Sequence, residues 1–296
     1  MNQCLLQFNE FSIAQDQLTK WRGGGTRPCR VTLNPKTTLQ EKRAQLQNHK
    51  LLHQEITTHN VLVDNVCDKA QILVDQIKDN SLNVYLTSIK QLFQSIVQKS
   101  DEILHNLEDC VQKHNELNNA LSSAKTWISN EKAKLLECDD AYGEKADIKR
   151  KIETLGQLAQ NKPQAMKIIS DIRDLFEKVK ATTSEKGNEV LDKEIEELET
   201  TMKSHFDDIE GIEGKQKDVL AQWDKFEKAL EELTKWCRSA EAVFREQQLQ
   251  STLHEKVEQL EKYKIQRELI LQKEKEIDAM GDAAHALLNN CGITIG

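Results

Sequence analysis

The sequence predicts an all-α fold: tandem three-helix bundles joined by continuous helices, forming an elongated rod. Three observations carry that expectation. Trp21, Trp127 and Trp236 recur 106 and 109 residues apart, each closing a similar block. The run Thr38-Leu39-Gln40-Glu41-Lys42 returns 214 residues later as Thr252-Leu253-His254-Glu255-Lys256, two periods of 107. The 296 residues hold only three prolines and eleven glycines, too few breakers for a chain of short elements. A unit that recurs in tandem marks an array, and arrays serve mechanical or scaffolding roles more often than chemical ones.

The tryptophan blocks give the first helix of each unit. A large residue stands ten before each tryptophan (Phe11, Leu117, Phe226), an alanine seven before (Ala14, Ala120, Ala229) and an apolar residue three before (Leu18, Ala124, Leu233). This 3-4-3 spacing is one stripe of a helix packed on other helices. Trp21, Trp127, Trp236, Phe11, Leu117 and Phe226 are therefore expected to be core anchors.

The second helix opens at Thr38 and again at Thr252, where Thr-x-x-Glu forms a capping box. Gln45/Gln259, Leu46/Leu260, Ile56/Ile270, Ala70/Ala284 and Leu73/Leu287 are identical at the same offset. The middle unit has a looser version, from about Glu144 to Thr182. Pro163 interrupts it at a cost of about 3 kcal/mol in a helix interior, which predicts a kink or a fresh start at Asn161-Lys162-Pro163.

Turn clusters at 79–81 and 183–188 precede third helices at 82–110 and 190–209. Neither third helix meets a strong breaker before the next tryptophan block, so each is expected to run on as the next first helix. The predicted organisation is a unit at 1–110 with a shortened first helix and Gly-rich loop, a unit at 111–218 with a Pro-kinked second helix, and a partial unit of two helices at 219–296.

Three irregularities stand out. Gly23-Gly24-Gly25 follows Trp21-Arg22 and should end the first helix, leaving a basic loop whose Arg22, Arg27 and Arg30 are candidates for partner contact. The first linker, 104–118, has no glycine, whereas the second contains Gly211 and Gly214, which predicts lower hydrogen-exchange protection at 206–220 than at 104–118. The partial third unit leaves an apolar stripe to be exposed, to self-associate or to be completed by another chain.

Composition excludes several functions. Net charge is −8, and residues 1–110 contribute none of it, with 12 basic and 12 acidic side chains. An acidic surface disfavours nucleic acid and anionic lipid. The seven cysteines stand singly, which reads as reduced thiols in the cytosol rather than a disulfide framework or zinc site. No apolar run reaches the ~20 residues of a membrane span. His49 and His53 have the spacing of two ligands on one helix face, but nothing completes a site. Gly211-x-x-Gly214-Lys215 has the wrong spacing for a phosphate loop, and paired carboxylates such as Glu196-Glu197 read as solvated faces. No catalytic, cofactor-binding or metal residues are expected.

The tryptophan in the first helix, the period near 106, three helices per unit and continuous linkers together resemble the spectrin repeat along the whole chain. Gln160-Asn161-Lys162-Pro163 and Ala286-Leu287-Leu288-Asn289-Asn290 are most similar to the arrays of giant nesprins, including the insect muscle form; dystrophin-like and plakin-like arrays are the runners-up. The resemblance implies a non-enzymatic spacer between actin and the nuclear envelope, with cytoskeletal or scaffold partners. It implies a cytoplasmic, cytoskeletal location, at the outer nuclear envelope through a longer parent. The alternative is an oligomerisation module whose partial third unit pairs with a helix from another chain.

Overall fold

The computed structural model describes residues 2–25, 34–77, 81–245 and 248–293, the side chains of 2–4, 18–19 and 21–25 excepted. Among the described residues eight helices follow in order: α1 Asn2–Gly25, α2 Leu39–Thr58, α3 Asn60–Ile77, α4 Ser81–Leu136, α5 Lys145–Ala159, α6 Lys162–Lys180, α7 Glu185–Arg245 and α8 Leu253–Asn290. No strand occurs among the described residues; an isolated bridge pairs Lys36 with Thr183. The all-α expectation holds, and α4 and α7 are the expected unbroken helices, of 56 and 61 residues. The chain divides into two compact units, Met1–Lys125 with Lys167–Glu199, and Thr126–Met166 with Thr200–Gly296.

In the first unit, α1, the α2–α3 segment and the start of α4 enclose Phe11, Ala14, Ile56, Val63, Val66, Ala70, Leu73, Leu86 and Phe93. The three-helix arrangement buries a stripe that no one of these helices could cover alone. Further along, Leu117 and Leu121 of α4, Ile172 and Phe176 of α6 and Ile195 of α7 are buried. Arg173 of α6 clamps α7: its guanidinium donates to both carboxylate oxygens of Glu199, at 2.8 and 3.0 Å, and pairs with Asp192.

Helix starts follow local chemistry. The Thr38 hydroxyl accepts from the Glu41 N–H at 3.2 Å, and the Glu41 carboxylate accepts from the Thr38 N–H. Thr252 and Glu255 repeat the pattern. The proline break is a fresh start: α5 ends at Ala159 and α6 begins at Lys162, which places Pro163 in a first turn, where its missing N–H is not needed.

A second break, between α2 and α3 at His59, has no proline. The Thr57 hydroxyl donates back to the His53 and Gln54 carbonyls, the Thr58 hydroxyl to Glu55, and His59 Nδ1 lies 2.6 Å from the Glu55 oxygen. Side chains that occupy helical carbonyls in this way compete with the backbone ladder.

The three glycines expected to end the first helix are the last residues of α1. A terminal turn is where glycine costs a helix least. One turn expectation is corrected. The 183–188 cluster is mostly helix, since α7 begins at Glu185 with the Ser184 hydroxyl accepting from the Gly187 N–H at 3.2 Å.

In the second unit, Leu135 and Cys138, Leu155 and Leu158, and Ile209 and Ile212 form a core with Phe206 against it. Beyond it the rest of α7 pairs with α8. Phe244 stacks on Tyr263 with centroids 5.7 Å apart, and the Lys273 ammonium sits 5.8 Å over the Trp236 ring.

The glycines of α7 separate into two kinds. A Cβ on Gly187 would lie 2.5 Å from the Thr37 carbonyl oxygen, whereas one on Gly211 or Gly214 would meet nothing within 4 Å. Gly187→Ala is expected to destabilise the first unit by about 1–3 kcal/mol through overpacking. Gly211→Ala and Gly214→Ala are each expected to stabilise by up to about 1 kcal/mol, because alanine lowers the entropy lost in a helix interior. Urea midpoints of the three variants check the sign of each change.

Candidate interaction sites

Three places collect the unusual side chains. The first lies in the first unit, where the segment leading into α2, the middle of α4 and the α6–α7 turn meet. Lys42 is 2% exposed, and its Nζ donates to the Thr183 hydroxyl at 2.8 Å and to Thr182 at 3.3 Å. Burial lowers the Lys42 pKa, opposed by the neighbouring Cys110. The Ser184 N–H donates to the Lys36 carbonyl at 3.1 Å, the Thr37 and Ser184 hydroxyls lie 2.9 Å apart, and Arg43 donates to the Asn115 side chain. His114 is 3% exposed, and burial, with the Lys42 charge second, holds its pKa down to about 4.

The second place lies in the second unit, where the 138–149 segment meets α7 and the end of α8. Buried Gln216 donates to the Cys138 and Asp140 carbonyls at 2.8 and 2.7 Å. The Gly143 N–H donates to the Cys291 carbonyl at 3.0 Å. Gly292 has φ +66, and a Cβ there would lie 2.7 Å from the Tyr142 ring, so both conformation and space require glycine. Lys145 pairs with Asp224 at 2.6 Å and with Glu227, and these hydrogen bonds raise its pKa and lower that of Asp224. Burial raises the Cys138 thiol pKa. Nearby in the same unit, burial lowers the pKa of His205, whose two ring nitrogens have no hydrogen-bond partner among the described residues.

The third place is the helix pair made by the end of α7 and α8. Ile270 and Ile277 of α8 are 38% and 42% exposed. Their counterparts at the 214-residue offset, Ile56 and Val63, are buried against Leu86 and Phe93 of α4. Leu253, Val257, Leu260 and Ile265 of α8 are exposed as well.

The expected anchors fall at different depths. Phe11 and Leu117 are buried; Trp127, Trp236 and Phe226 are half-buried. Trp21 lies in α1, with its side chain outside the described residues, as is that of Arg22. Arg27 and Arg30, the remainder of the expected partner loop, also lie outside the described residues. His49 is buried with Nε2 2.9 Å from the Ser100 carbonyl, and His53 meets the Ser100 hydroxyl and Asp101, so the two rings serve packing between α2 and α4. No group of three or more potential metal ligands occurs among the described residues, and none of the described helices is long and apolar enough to cross a membrane. The two junctions were missed from sequence: Lys42 and Thr183 lie 141 positions apart, and only the return of a lysine at Lys149 and Lys256 hinted at the first of them.

The chain is 94% identical over 292 residues, 99% of its length, to Muscle-specific protein 300 kDa of Drosophila melanogaster. It is 24% identical over 200 residues to human Nesprin-3 and 22% identical over 182 residues to human Nesprin-2. It spans 2%, 20% and 2% of the lengths of these relatives. No protein-family model and no solved structure matches it. The resemblance to giant nesprins of the insect muscle type is thereby established.

Proposed function

We propose, with the resemblance to giant nesprins as premise, that this chain is a load-bearing spacer within a longer linker between the actin cytoskeleton and the nuclear envelope. The observation that carries the reading is the pair of unbroken helices, α4 and α7. A helix of 61 residues is about 90 Å long, and continuity lets it pass orientation and tension from one bundle to the next. The proposed repeats are 1–110, 111–218 and 219–296. Phe11 and Leu117 anchor the first two, and Trp127, Trp236 and Phe226 line the half-buried faces of α4 and α7. Nesprin-type relatives point to scaffolding rather than catalysis, and to cytoskeletal or scaffold partners at the cytoskeleton.

The test replaces this stretch in the parent protein with an unrelated helical array of equal length. A spacer predicts that attachment of nuclei to the cytoskeleton survives the exchange and fails when the stretch is deleted. Loss on exchange as well as deletion would show that specific docking, not spacing, is the function.

The exposed α8 stripe supports a second reading, that the open helix pair takes a third helix from another chain. Ile270 and Ile277 are uncovered at positions whose counterparts α4 buries. An amphipathic helix patterned like Leu86 to Phe93 has the spacing to cover them. A peptide copying residues 81–110, added in trans, is expected to raise hydrogen-exchange protection over 265–280. Unchanged protection at saturating peptide removes this reading and leaves the spacer reading untouched.

A further inference from the structure

We propose that the two junctions are latched by different chemistry, so that salt loosens the second and leaves the first closed. This goes beyond the spacer reading and does not depend on it.

At the first junction the hydrogen bonds from α2 and the segment before it to the α6–α7 turn, among the described residues, involve no carboxylate. Lys42 meets the Thr182 and Thr183 hydroxyls, Lys36 and Ser184 pair through the backbone, and Thr37 and Ser184 pair through hydroxyls. The Thr183 hydroxyl in turn donates its proton to the Val179 carbonyl and accepts from Lys42. Gly187 lets the turn close onto the Thr37 carbonyl. The ion pair that α2 does make here, Lys50 with Glu108, joins α2 to α4 and not to the turn. A lysine that is 2% exposed and held by neutral oxygens is little screened by added ions.

At the second junction the start of α5 is tied to α7 by Lys145, which reaches both Asp224 and Glu227. The two carboxylates are 61% and 52% exposed, so bulk ions reach them. Lys149 adds to the positive charge beside Asp224. Lys151 of α5, which fastens the preceding segment to that helix, also pairs with a carboxylate, that of Asp140. The position matching Lys42 at one period is Lys149, which is exposed rather than inserted. Contacts to neutral oxygens are also present among the described residues: Gln216 to the Cys138 and Asp140 carbonyls, Lys151 to the Asp140 and Tyr142 carbonyls, and Gly143 to Cys291. Exposed ion pairs weaken as the screening length falls from ~20–30 Å in dilute salt to ~3 Å at ~1 M.

The experiment is hydrogen exchange on the full 296-residue chain in ~0.02 M and ~1 M NaCl. The reporters are the Gly143 amide, bonded to Cys291, and the Ser184 amide, bonded to Lys36. Salt is expected to speed Gly143 exchange by about three- to five-fold and Ser184 exchange by less than about two-fold. Lys145→Gln, which keeps the stem and removes the charge, is expected to give the fast Gly143 rate at low salt and to abolish its salt response. Equal responses at the two amides overturn the proposal, as does a Gly143 salt response that survives Lys145→Gln.

Discussion

Leu117→Ala is expected to lower the unfolding free energy by about 3–5 kcal/mol, and Trp236→Ala by no more than about 1–2 kcal/mol. Both residues occupy the same apolar stripe in sequence, and a ranking by residue size would reverse the order. Leu117 is 0% exposed in α4, and its removal leaves a cavity that packed helices cannot close. Trp236 is half-buried on a two-helix pair, with water on one side and Lys273 over its ring. Deleting a half-wet ring forfeits only the area that was covered, plus a cation–π contact of about 0.5–1 kcal/mol. Urea unfolding of the two variants decides the matter; an equal or greater loss for Trp236→Ala would mean that α8 is covered in solution.

Acidification is the second large effect. His114 ordinarily titrates at 6.5 and is held at about 4 in the folded chain. The unfolded chain therefore binds more protons between those values, and stability falls as pH drops from 6.5 towards 4. It is fully present above the unfolded pKa. A difference of this size corresponds to about 3 kcal/mol. Burial shifts His205 in the same direction, so the second unit loses stability on the same side of neutrality. Among the carboxylates with lowered pKa, Asp140 and Asp224, ordinarily at 3.8, act below the His114 window, whereas Glu231 and Glu255, ordinarily at 4.5, begin to act at its acid edge and in the same direction. Urea midpoints at pH 7 and pH 4.5 are expected to differ strongly in the parent chain. His114→Gln is expected to shrink that difference; an unchanged difference would exclude His114 as its source.

The parts of the fold legible in sequence were those set within a few residues. Thr38 and Thr252 announced their helices because a capping box is complete within four positions. Pro163 announced a restart because its constraint is its own. The continuity of α4 and α7 was legible from missing breakers. The break at His59 was not, because threonine and histidine interrupt a helix only when their side chains turn back on it. Gly187 read as turn punctuation, yet it lies inside α7 and its role is to admit the Thr37 carbonyl, 150 positions earlier. The depth of the tryptophans was illegible for a related reason. Periodicity gives the face of a helix, and burial depends on whether another helix covers it. The interaction sites follow the same division: the apolar positions of α8 were legible from the repeat at 214 residues, whereas the Lys42 and Lys145 contacts depend on distant partners.

The central claim is that the chain carries load as a series of helical bundles joined through continuous helices. Single-molecule stretching of the full chain between its ends tests it most directly. A proposed repeat of 106–109 residues, extended at ~3.5 Å per residue and less a folded length of ~45–50 Å, releases ~300–350 Å. The expected record contains two separate unfolding steps of that size, one for each proposed complete repeat, with the open α7–α8 pair yielding first and without a distinct peak. A single event releasing the whole chain at once, or smooth extension with no steps, would contradict the claim.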